Sequence, residues 1–206
     1  MSEILKYFPD LTLEQIIRFE KMIPLYRECN DKTNVIPRKE INSLYNNHIL
    51  HSLAIAKIIS FKPGSRILDV GTGGGFPGIP LAVLFPASHF VLIDPMRKRI
   101  KVVQSVAKEL GLENVTVIRS KVQDINEKFD FVVSRAVAAF PILVDLVKKN
   151  ISRKPQNSLP NGIIYLKGGS FEDEIENFKK VVVNEIDRFF TEPSFESKKV
   201  IYLPVN

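Results

Sequence analysis

Arg66-Ile-Leu-Asp-Val-Gly-Thr-Gly-Gly-Gly-Phe-Pro-Gly78 is the stretch of this sequence that decides the fold. A short apolar run with β-branched residues leads directly into a cluster of glycines, and a second apolar segment, Ile79 to Phe85, follows. This order is typical of a strand, a tight loop and a helix. Glycines allow the loop to turn at positive φ and allow backbone N–H groups to approach a ligand closely. The stretch therefore predicts a cofactor site, although such loops also serve as plain turns.

Two carboxylates narrow the class of cofactor. Asp69 lies two residues before Gly71, where methyltransferases place an acid that orders the loop and approaches the amino group of the cofactor. Nicotinamide-binding loops usually have an apolar residue there. Asp94 ends the next apolar run, about 20 residues past the loop, where an acid can accept hydrogen bonds from two ribose hydroxyls. The two acids favour a nucleoside cofactor, with Gly71, Gly73 and Gly75 as the expected loop contacts.

The composition limits the class of protein. The chain has 206 residues, of which 45% are hydrophobic, and this suffices for one α/β domain with an appended element. One cysteine, Cys29, excludes a disulfide framework and fits a reducing compartment. The N-terminus lacks the pattern of a signal peptide, and no apolar window has the length of a membrane span. We expect a cytoplasmic monomer with no membrane contact. His48 and His51 have no further metal-type ligands nearby, so no metal is expected.

The positive charge is concentrated in the middle of the chain. The net charge is +6, while residues 1–60 and 171–206 contribute little or none of the excess. One cluster is Arg97-Lys-Arg-Ile-Lys101, and a second is formed by Lys148, Lys149, Arg153 and Lys154. Each cluster by itself is explained as a solvated surface, but two in one region favour binding to a phosphate backbone. The predicted RNA-binding residues are Arg97, Lys98, Arg99, Lys101 and Lys167.

The first 60 residues have a helical pattern. Thr12-Leu-Glu-Gln15 is a capping box, and it predicts a helix that Pro24 should kink or split. After a polar stretch, a second helix is predicted from Ile41 to Ile58. Residues 1–60 are therefore interpreted as an N-terminal helical cap placed before a sheet.

From residue 65 onward the chain alternates between strand and helix patterns. Strands are predicted at 66–70, 89–94, 115–119, 129–134 and 162–167, and helices at 78–85, 96–110 and 140–151. This alternation predicts a parallel doubly wound sheet with ligands at the carboxyl ends of the strands. Two further strand-like runs, Val181 to Phe190 and Lys199 to Pro204, would add an antiparallel pair, which suits a methyltransferase sheet better than a dehydrogenase sheet.

Six stretches have a more specific pattern: Asn34-Val-Ile-Pro-Arg-Lys39, His48-Ile-Leu-His-Ser-Leu53, Leu68-Asp-Val-Gly-Thr-Gly-Gly-Gly-Phe-Pro-Gly-Ile-Pro80, Ile93-Asp-Pro-Met-Arg-Lys-Arg-Ile100, Ser134-Arg-Ala136 and Leu166-Lys-Gly168. Together they resemble the bacterial 16S ribosomal RNA guanine-N7 methyltransferases, formerly called glucose-inhibited division protein B. The resemblance implies an α/β fold of the Rossmann-like class I methyltransferases, with a seven-stranded, mostly parallel sheet. It places the S-adenosylmethionine-dependent methyltransferase domain at residues 61–206.

The resemblance also implies S-adenosyl-L-methionine as methyl donor and a guanine in a loop of 16S rRNA, or of the small ribosomal subunit, as acceptor. The cofactor contacts that it implies are Gly71 and Phe76 in the loop, Asp94 at the ribose, Val122 and Gln123 beside the adenine, and Arg135 after the fourth strand. Four positions depart from the family pattern. Gln123 is neutral where an acidic or polar residue is common, Asn34-Val-Ile36 replaces Asn-Leu-Thr, and Asn47 replaces an arginine.

The chemistry of guanine N7 explains why the sequence offers no obvious acid–base set. N7 already has a free lone pair, so no general base is needed and positioning supplies much of the rate. Arg135 is the predicted catalytic residue, since a cation at the end of an apolar strand is expected to face the cleft. It could bind the methionine carboxylate or a target phosphate, while a surface salt bridge is the alternative.

Absent motifs argue against other base methylations. Ser134-Arg-Ala136 stands where amino-group methyltransferases have an Asp/Asn-Pro-Pro-aromatic tetrad, and Cys29 lies in the cap, far from a cytosine-C5 nucleophile position. Two other functions stay open at this point. One is a nicotinamide-dependent oxidoreductase. The acidic Asp69 in place of an apolar residue argues against it, as does the absence of a recognisable group of residues for hydride transfer. The other is a non-catalytic RNA-binding protein on the same fold, which would be marked by a damaged cofactor loop.

Overall fold

The computed structural model describes residues 2–205. Its strands are β1 (Arg66–Val70), β2 (His89–Asp94), β3 (Val115–Arg119), β4 (Phe131–Arg135), β5 (Gly162–Gly168), β6 (Val182–Glu185) and β7 (Lys198–Pro204). Its α-helices are α1 (Ser2–Tyr7), α2 (Leu13–Thr33), α3 (His51–Leu53), α4 (Gly78–Leu84), α5 (Arg97–Glu109), α6 (Phe140–Val147) and α7 (Glu172–Ile175). Met1 and Asn206, the outermost residues of the predicted cap and domain, lie outside the described residues.

The seven strands form one sheet in the order β3-β2-β1-β4-β5-β7-β6. Strands β1 to β5 pair in parallel, and the C-terminal strands β7 and β6 are added in antiparallel pairing. The predicted class I fold with a terminal antiparallel pair is confirmed. The strand order reverses between β1 and β4, because the chain first winds outward to β3 and then returns. Ligands of such sheets bind beside this reversal, at the carboxyl ends of the strands.

The helical cap differs in detail from the prediction. α2 begins with the predicted capping box at Thr12 and continues without interruption to Thr33, so Pro24 does not split it. The predicted second helix is a series of short pieces: a 3-10 turn at Arg38–Ser43, a π-helical turn at Tyr45–Leu50, α3 and a 3-10 turn at Ala54–Lys57. Helix periodicity in sequence does not distinguish these tighter and wider turns, which depend on tertiary packing.

The cap and the sheet share a hydrophobic core. Buried residues of the cap, among them Phe19 and Met22, belong to the same cluster as Ile67 and Phe131 of the central strands. The opposite face of the sheet packs against α6 in a second cluster. Because the cap covers one face of the parallel strands, it also forms a wall above their carboxyl ends. The division into residues 1–60 and 61–206 stays a prediction.

Several predicted boundaries shift by a few residues. β4 begins at Phe131 and includes Arg135, so this side chain belongs to the strand end itself. α6 ends at Val147 and a 3-10 turn follows, while β6 covers only part of the predicted run from Val181 to Phe190. β7 begins at Lys198, one residue earlier than predicted.

Candidate functional site

Asp69 at the end of β1 anchors the glycine loop. Its Oδ2 atom accepts hydrogen bonds from the Thr72 hydroxyl at 2.6 Å and from the Gly78 backbone N–H at 2.8 Å. The loop is thereby tied at its beginning and at its end to one buried carboxylate. Gly71 has a φ of +67°, and a Cβ there would lie 2.5 Å from Val137 Cγ2. The backbone conformation and the close neighbour both require glycine at this position.

The second oxygen of Asp69, Oδ1, is buried and has no hydrogen-bond partner among the described residues. Burial raises the pKa of Asp69 to about 7, against the lowering effect of its two hydrogen bonds and of Arg135. A buried carboxylate that lacks a donor is normally paired, because an unpaired charge in a protein interior is unfavourable. Asp69 is therefore suited to accept a hydrogen bond from a cationic or N–H donor of a ligand.

Asp94 at the end of β2 connects three parts of the site. Oδ2 accepts from the Gly73 backbone N–H at 3.1 Å and from Arg99 Nη1 at 3.2 Å, and Oδ1 accepts from the Met96 backbone N–H at 2.9 Å. The side chain is buried, yet Asp94 lines the cavity in front of the loop. Its position beside the glycine loop is the one where the sequence places ribose recognition.

A cavity of about 400 Å³ lies between the glycine loop and the cap. The loop contributes Gly71, Thr72, Gly73, Gly74 and Phe76, the cap contributes Val35, Ile36, Pro37 and His48, and the strand ends contribute Asp94, Pro95, Arg99, Arg135, Ala136 and Val137. The predicted contacts Gly71, Gly73, Phe76, Asp94 and Arg135 are thus brought together. The cap residues belong to two of the stretches that carry the family resemblance, but packing within a helical cap would explain them equally well from sequence; Gly74 was not singled out.

A second, adjoining cavity of about 360 Å³ is lined by Val122 and Gln123. It shares Gly71, Pro95 and Val137 with the first cavity. Its other walls are mostly apolar side chains, and this surface fits the faces of a planar heterocycle. The Gln123 side chain is exposed, so its amide stands at the rim of this cavity. The two cavities adjoin, so one can hold the base of a nucleoside while the other holds the groups attached to its ribose.

Gly75 has a different role from the other loop glycines. A Cβ at this position would lie 2.7 Å from Ile79 Cγ1 and 2.9 Å from the Tyr26 hydroxyl oxygen. That hydroxyl donates to the Gly74 carbonyl at 2.7 Å, and the Tyr26 ring packs against Phe76 with centroids 4.8 Å apart. Gly75 therefore permits the loop to pack against the cap, and Tyr26 of α2 is a supporting residue that the sequence analysis missed.

Arg135 is held by the cap through two hydrogen bonds. Nη1 donates to the Asn47 carbonyl at 3.0 Å, and Nη2 lies 2.8 Å from His48 Nδ1. An arginine can only donate, so Nδ1 must be the acceptor and the ring proton lies on Nε2. His48 Nε2 lies 2.9 Å from Glu40 Oε2, to which it donates. Glu40, His48 and Arg135 form a hydrogen-bonded chain that fixes the guanidinium at the cavity wall.

The protonation of this chain follows from burial. The pKa of His48 falls to about 4, first because the ring is buried and then because Arg135 is close, while Glu40 acts in the opposite direction. The neutral ring required by the hydrogen bonds is thus the stable form near pH 7. Burial also lowers the pKa of Arg135 to about 10, which leaves the guanidinium charged. The predicted alternative for Arg135, a surface salt bridge, is not what the structure shows.

The predicted RNA-binding residues divide into three groups. Arg97, Lys98 and Lys101 are exposed on the first turns of α5, which begins two residues after the cavity-lining Pro95. Arg99 is half-buried, lines the cavity and forms an ion pair with Asp94. Lys167 is paired with Glu174 at 2.6 Å, so a phosphate would have to displace this carboxylate.

No group of three or more His, Cys, Asp or Glu side chains within residues 2–205 could hold a metal ion, and no helix among these residues could cross a membrane.

The fold is similar to that of solved structures of low sequence identity. MtNAS in complex with MTA and tNA matches with a TM-score of 0.62 and 16% identity, covering 93% of this chain and 74% of the other. An S-adenosylmethionine-dependent methyltransferase from Aquifex aeolicus matches with a TM-score of 0.57 and 17% identity, covering 83% of this chain and all of the other. The fold of this chain is that of the class I methyltransferases.

Sequence comparisons specify the family. The family model described as rRNA small subunit methyltransferase G matches residues 13–199. A protein of that name from Christiangramia forsetii is 52% identical over 200 residues, covering 97% of this chain and 95% of the relative. Another from Bacteroides thetaiotaomicron is 52% identical over 203 residues, covering 98% of both chains. The chain belongs to the rRNA small subunit methyltransferase G family, and the resemblance found in the sequence is confirmed.

Proposed function

We propose that this protein transfers a methyl group from S-adenosyl-L-methionine to N7 of a guanine in 16S rRNA. The observation on which this rests is the match of residues 13–199 to the rRNA small subunit methyltransferase G family. The intact glycine loop with its two acids agrees with a catalytic protein. A nicotinamide-dependent oxidoreductase and a non-catalytic RNA-binding protein are both disfavoured by this family membership and by the complete loop. Acting on small ribosomal subunits would place the protein in the cytoplasm.

The residues present fit the proposed cofactor. Asp94 has carboxylate oxygens at the position where ribose hydroxyls would donate, and the unpartnered Oδ1 of Asp69 can accept from the amino group. The apolar cavity beside Val122 and Gln123 would take the adenine, with the Gln123 amide at its edge. S-adenosylmethionine supplies an activated methyl group on a sulfonium. Gly71 and Gly73 allow close approach of this part of the cofactor to the backbone.

The site positions the acceptor without deprotonating it. His48 is the imidazole in the cavity wall, and both of its nitrogens are occupied, by Arg135 and by Glu40. With a pKa of about 4 it is also a weak base. This arrangement agrees with attack by guanine N7, whose lone pair needs no general base. We assign Arg135 the role of orienting an anionic group, since Glu40 and His48 fix its guanidinium at the cavity wall.

Exposed cations on α5 would bind the RNA. Arg97, Lys98 and Lys101 can contact phosphates without reading sequence, so they would contribute affinity and salt dependence. The target guanine must be unstacked to reach the cavity, because N7 chemistry in a stacked base is sterically blocked.

The proposal is tested by methyl transfer from radiolabelled S-adenosylmethionine to small subunits from cells that lack this protein. Naked 16S rRNA serves as a second acceptor, and the labelled nucleoside is identified after digestion. Label in N7-methylguanosine would support all three parts of the proposal: S-adenosylmethionine as the methyl donor, 16S rRNA as the acceptor and N7 of guanine as the methylated atom. Absence of label in both acceptors, with cofactor binding demonstrated, would refute the acceptor assignment.

A further inference from the structure

Lys198, at the start of β7, is a half-buried cation that forms no ion pair with the described carboxylates. Its nearest polar contact is Asn47 Oδ1, at 3.5 Å from Nζ, the outer limit of a hydrogen bond. The ammonium also lies over the Phe195 ring, 5.1 Å from the centroid. Burial lowers the pKa of Lys198 and the charge of Arg135 lowers it further, while the charge of Glu40, which lies beyond ion-pair distance, acts in the opposite direction. Two cations therefore stand near each other at the same edge of the sheet.

The neighbouring lysines have carboxylate partners and Lys198 does not. Lys199 Nζ is 3.0 Å from Glu185 Oε1, and Lys167 Nζ is 2.6 Å from Glu174 Oε1. Successive residues of a strand point to opposite faces of the sheet. Lys199 pairs in register with Lys167, so both lie on the face opposite to Lys198. The alternation of side chains along β7 therefore places Lys199 beside a carboxylate partner and Lys198 on the face where it forms no ion pair.

The location of Lys198 relates it to the proposed reaction. On the cap face, β4 ends with Arg135, and Lys198 follows two strands away, in register with Gly168 of β5. Gly168 has no side chain that would fill the space between them. Asn47 contacts both cations, through its carbonyl oxygen to Arg135 and through its side chain to Lys198. Lys198 is therefore coupled to the wall of the cavity through one residue of the cap.

We propose that Lys198, with the Asn47 amide beside it, binds a phosphate of the RNA backbone next to the target guanine. This inference rests on the proposed function and specifies a substrate contact that lies apart from the basic turns of α5. Those turns follow β2, on one side of the cavity, while β7 lies on the other side. An RNA strand that crosses the cavity mouth meets a cation on each side. A half-buried cation whose nearest carboxylate, Glu40, is already hydrogen-bonded to His48 gains from an anion that arrives with the substrate.

The test compares Lys198→Met with Lys199→Met. Methionine keeps an apolar stem over Phe195 and removes the charge, and the neighbouring substitution removes an equal charge from the opposite face. The measurements are affinity for small-subunit RNA at several salt concentrations, KM and kcat for subunits, and S-adenosylmethionine affinity by calorimetry. We expect Lys198→Met to weaken RNA binding about tenfold, the typical effect of one charge-assisted contact. The salt slope should fall by roughly 0.7 to 0.9, corresponding to one phosphate.

Cofactor affinity should stay unchanged in both variants, and Lys198→Arg should restore RNA binding. Equal RNA affinity and equal salt slope for the Lys198→Met and Lys199→Met variants would overturn the inference. Loss of cofactor affinity in Lys198→Met would also overturn it, because the cation would then serve the cofactor. The unmodified protein is assayed beside the variants as a control. If it neither binds the RNA nor transfers a methyl group, the proposed function itself is refuted. If it does both, a negative result for Lys198→Met refutes only the role of Lys198.

Discussion

Replacing Asp69 with asparagine should change how the stability of this protein depends on pH. Asparagine Oδ1 can accept the two hydrogen bonds that Asp69 Oδ2 accepts from Thr72 and Gly78, so the loop keeps its anchor. The amide nitrogen takes the place of the unpartnered Oδ1. What the substitution removes is the ionisable proton.

The magnitude follows from the pKa of the buried acid. Burial raises this pKa from 3.8 to about 7, so between these values the folded chain holds a proton that the unfolded chain has lost. The unfolding free energy of the unmodified protein therefore falls with rising pH, by about 1.4 kcal/mol per pH unit. Over about three units the variant should gain up to roughly 4 kcal/mol relative to the unmodified protein, and the gain should stay constant above pH 7.

Urea denaturation across this pH range measures the difference between the two proteins. The difference is the useful quantity, because His48 and His51 have lowered pKa values and act with the opposite sign. Their stabilisation is present above their ordinary pKa and is lost on acidification, in both proteins alike. An unsatisfied amide nitrogen would add a constant offset of about 1 to 3 kcal/mol without changing the slope. Ser134→Ala, which removes a hydrogen bond to the Val70 carbonyl, is the control and should give a pH-independent loss of about 1 kcal/mol.

Cofactor binding gives a second readout of the same group. If the amino group of S-adenosylmethionine donates to Asp69, binding lowers the pKa of this carboxyl and releases a proton near pH 7. Calorimetry in buffers of different ionisation enthalpy detects that proton, and the asparagine variant should release none. A stability difference that is flat from about pH 5 to pH 8, with no proton release, would refute the reasoning about Asp69.

Three further substitutions test other parts of the molecule. Gly162→Ala should lower the unfolding free energy by about 3 kcal/mol or more in urea denaturation, because its Cβ would lie 2.2 Å from a backbone oxygen of β7. The control is Gly168→Ala in the same strand. Its Cβ would lie 3.7 Å from the nearest atom, so the loss should be much smaller. Asp94→Ala should weaken S-adenosylmethionine binding by roughly 1.5 to 3 kcal/mol in calorimetry, the contribution of hydrogen bonds to a charged group. Arg97→Ala combined with Lys98→Ala should lower RNA affinity and reduce the salt slope by roughly 1.4 to 1.8 while cofactor affinity stays the same. Equal loss of both affinities in the Asp94 and double variants would contradict separate sites.

The sequence determined the sheet and the cofactor loop because their signals are local. An apolar run that ends in an acid and then in glycines specifies a strand and a loop within a dozen residues, and the alternation that follows specifies a parallel sheet. Chain order and the rule that ligands bind at carboxyl ends then placed Asp69 and Asp94 at one edge. The family pattern in Ser134-Arg-Ala136 identified Arg135, although its neighbours were not visible from sequence.

Only the tertiary structure decided how the cations are used. Arg135 and His48 are 87 residues apart in the chain, and their contact depends on the irregular turns of the cap, which helix periodicity does not distinguish. Arg99, predicted with the RNA-binding residues, turns inward to Asp94 because of its position on α5. Lys198 and Lys199 are adjacent lysines, and nothing in the sequence distinguishes their roles. The pleat of β7 lets Lys199 form an ion pair with Glu185 and turns Lys198 to the cap face, where it forms no ion pair, since the distance between charges is set by packing and not by order along the chain.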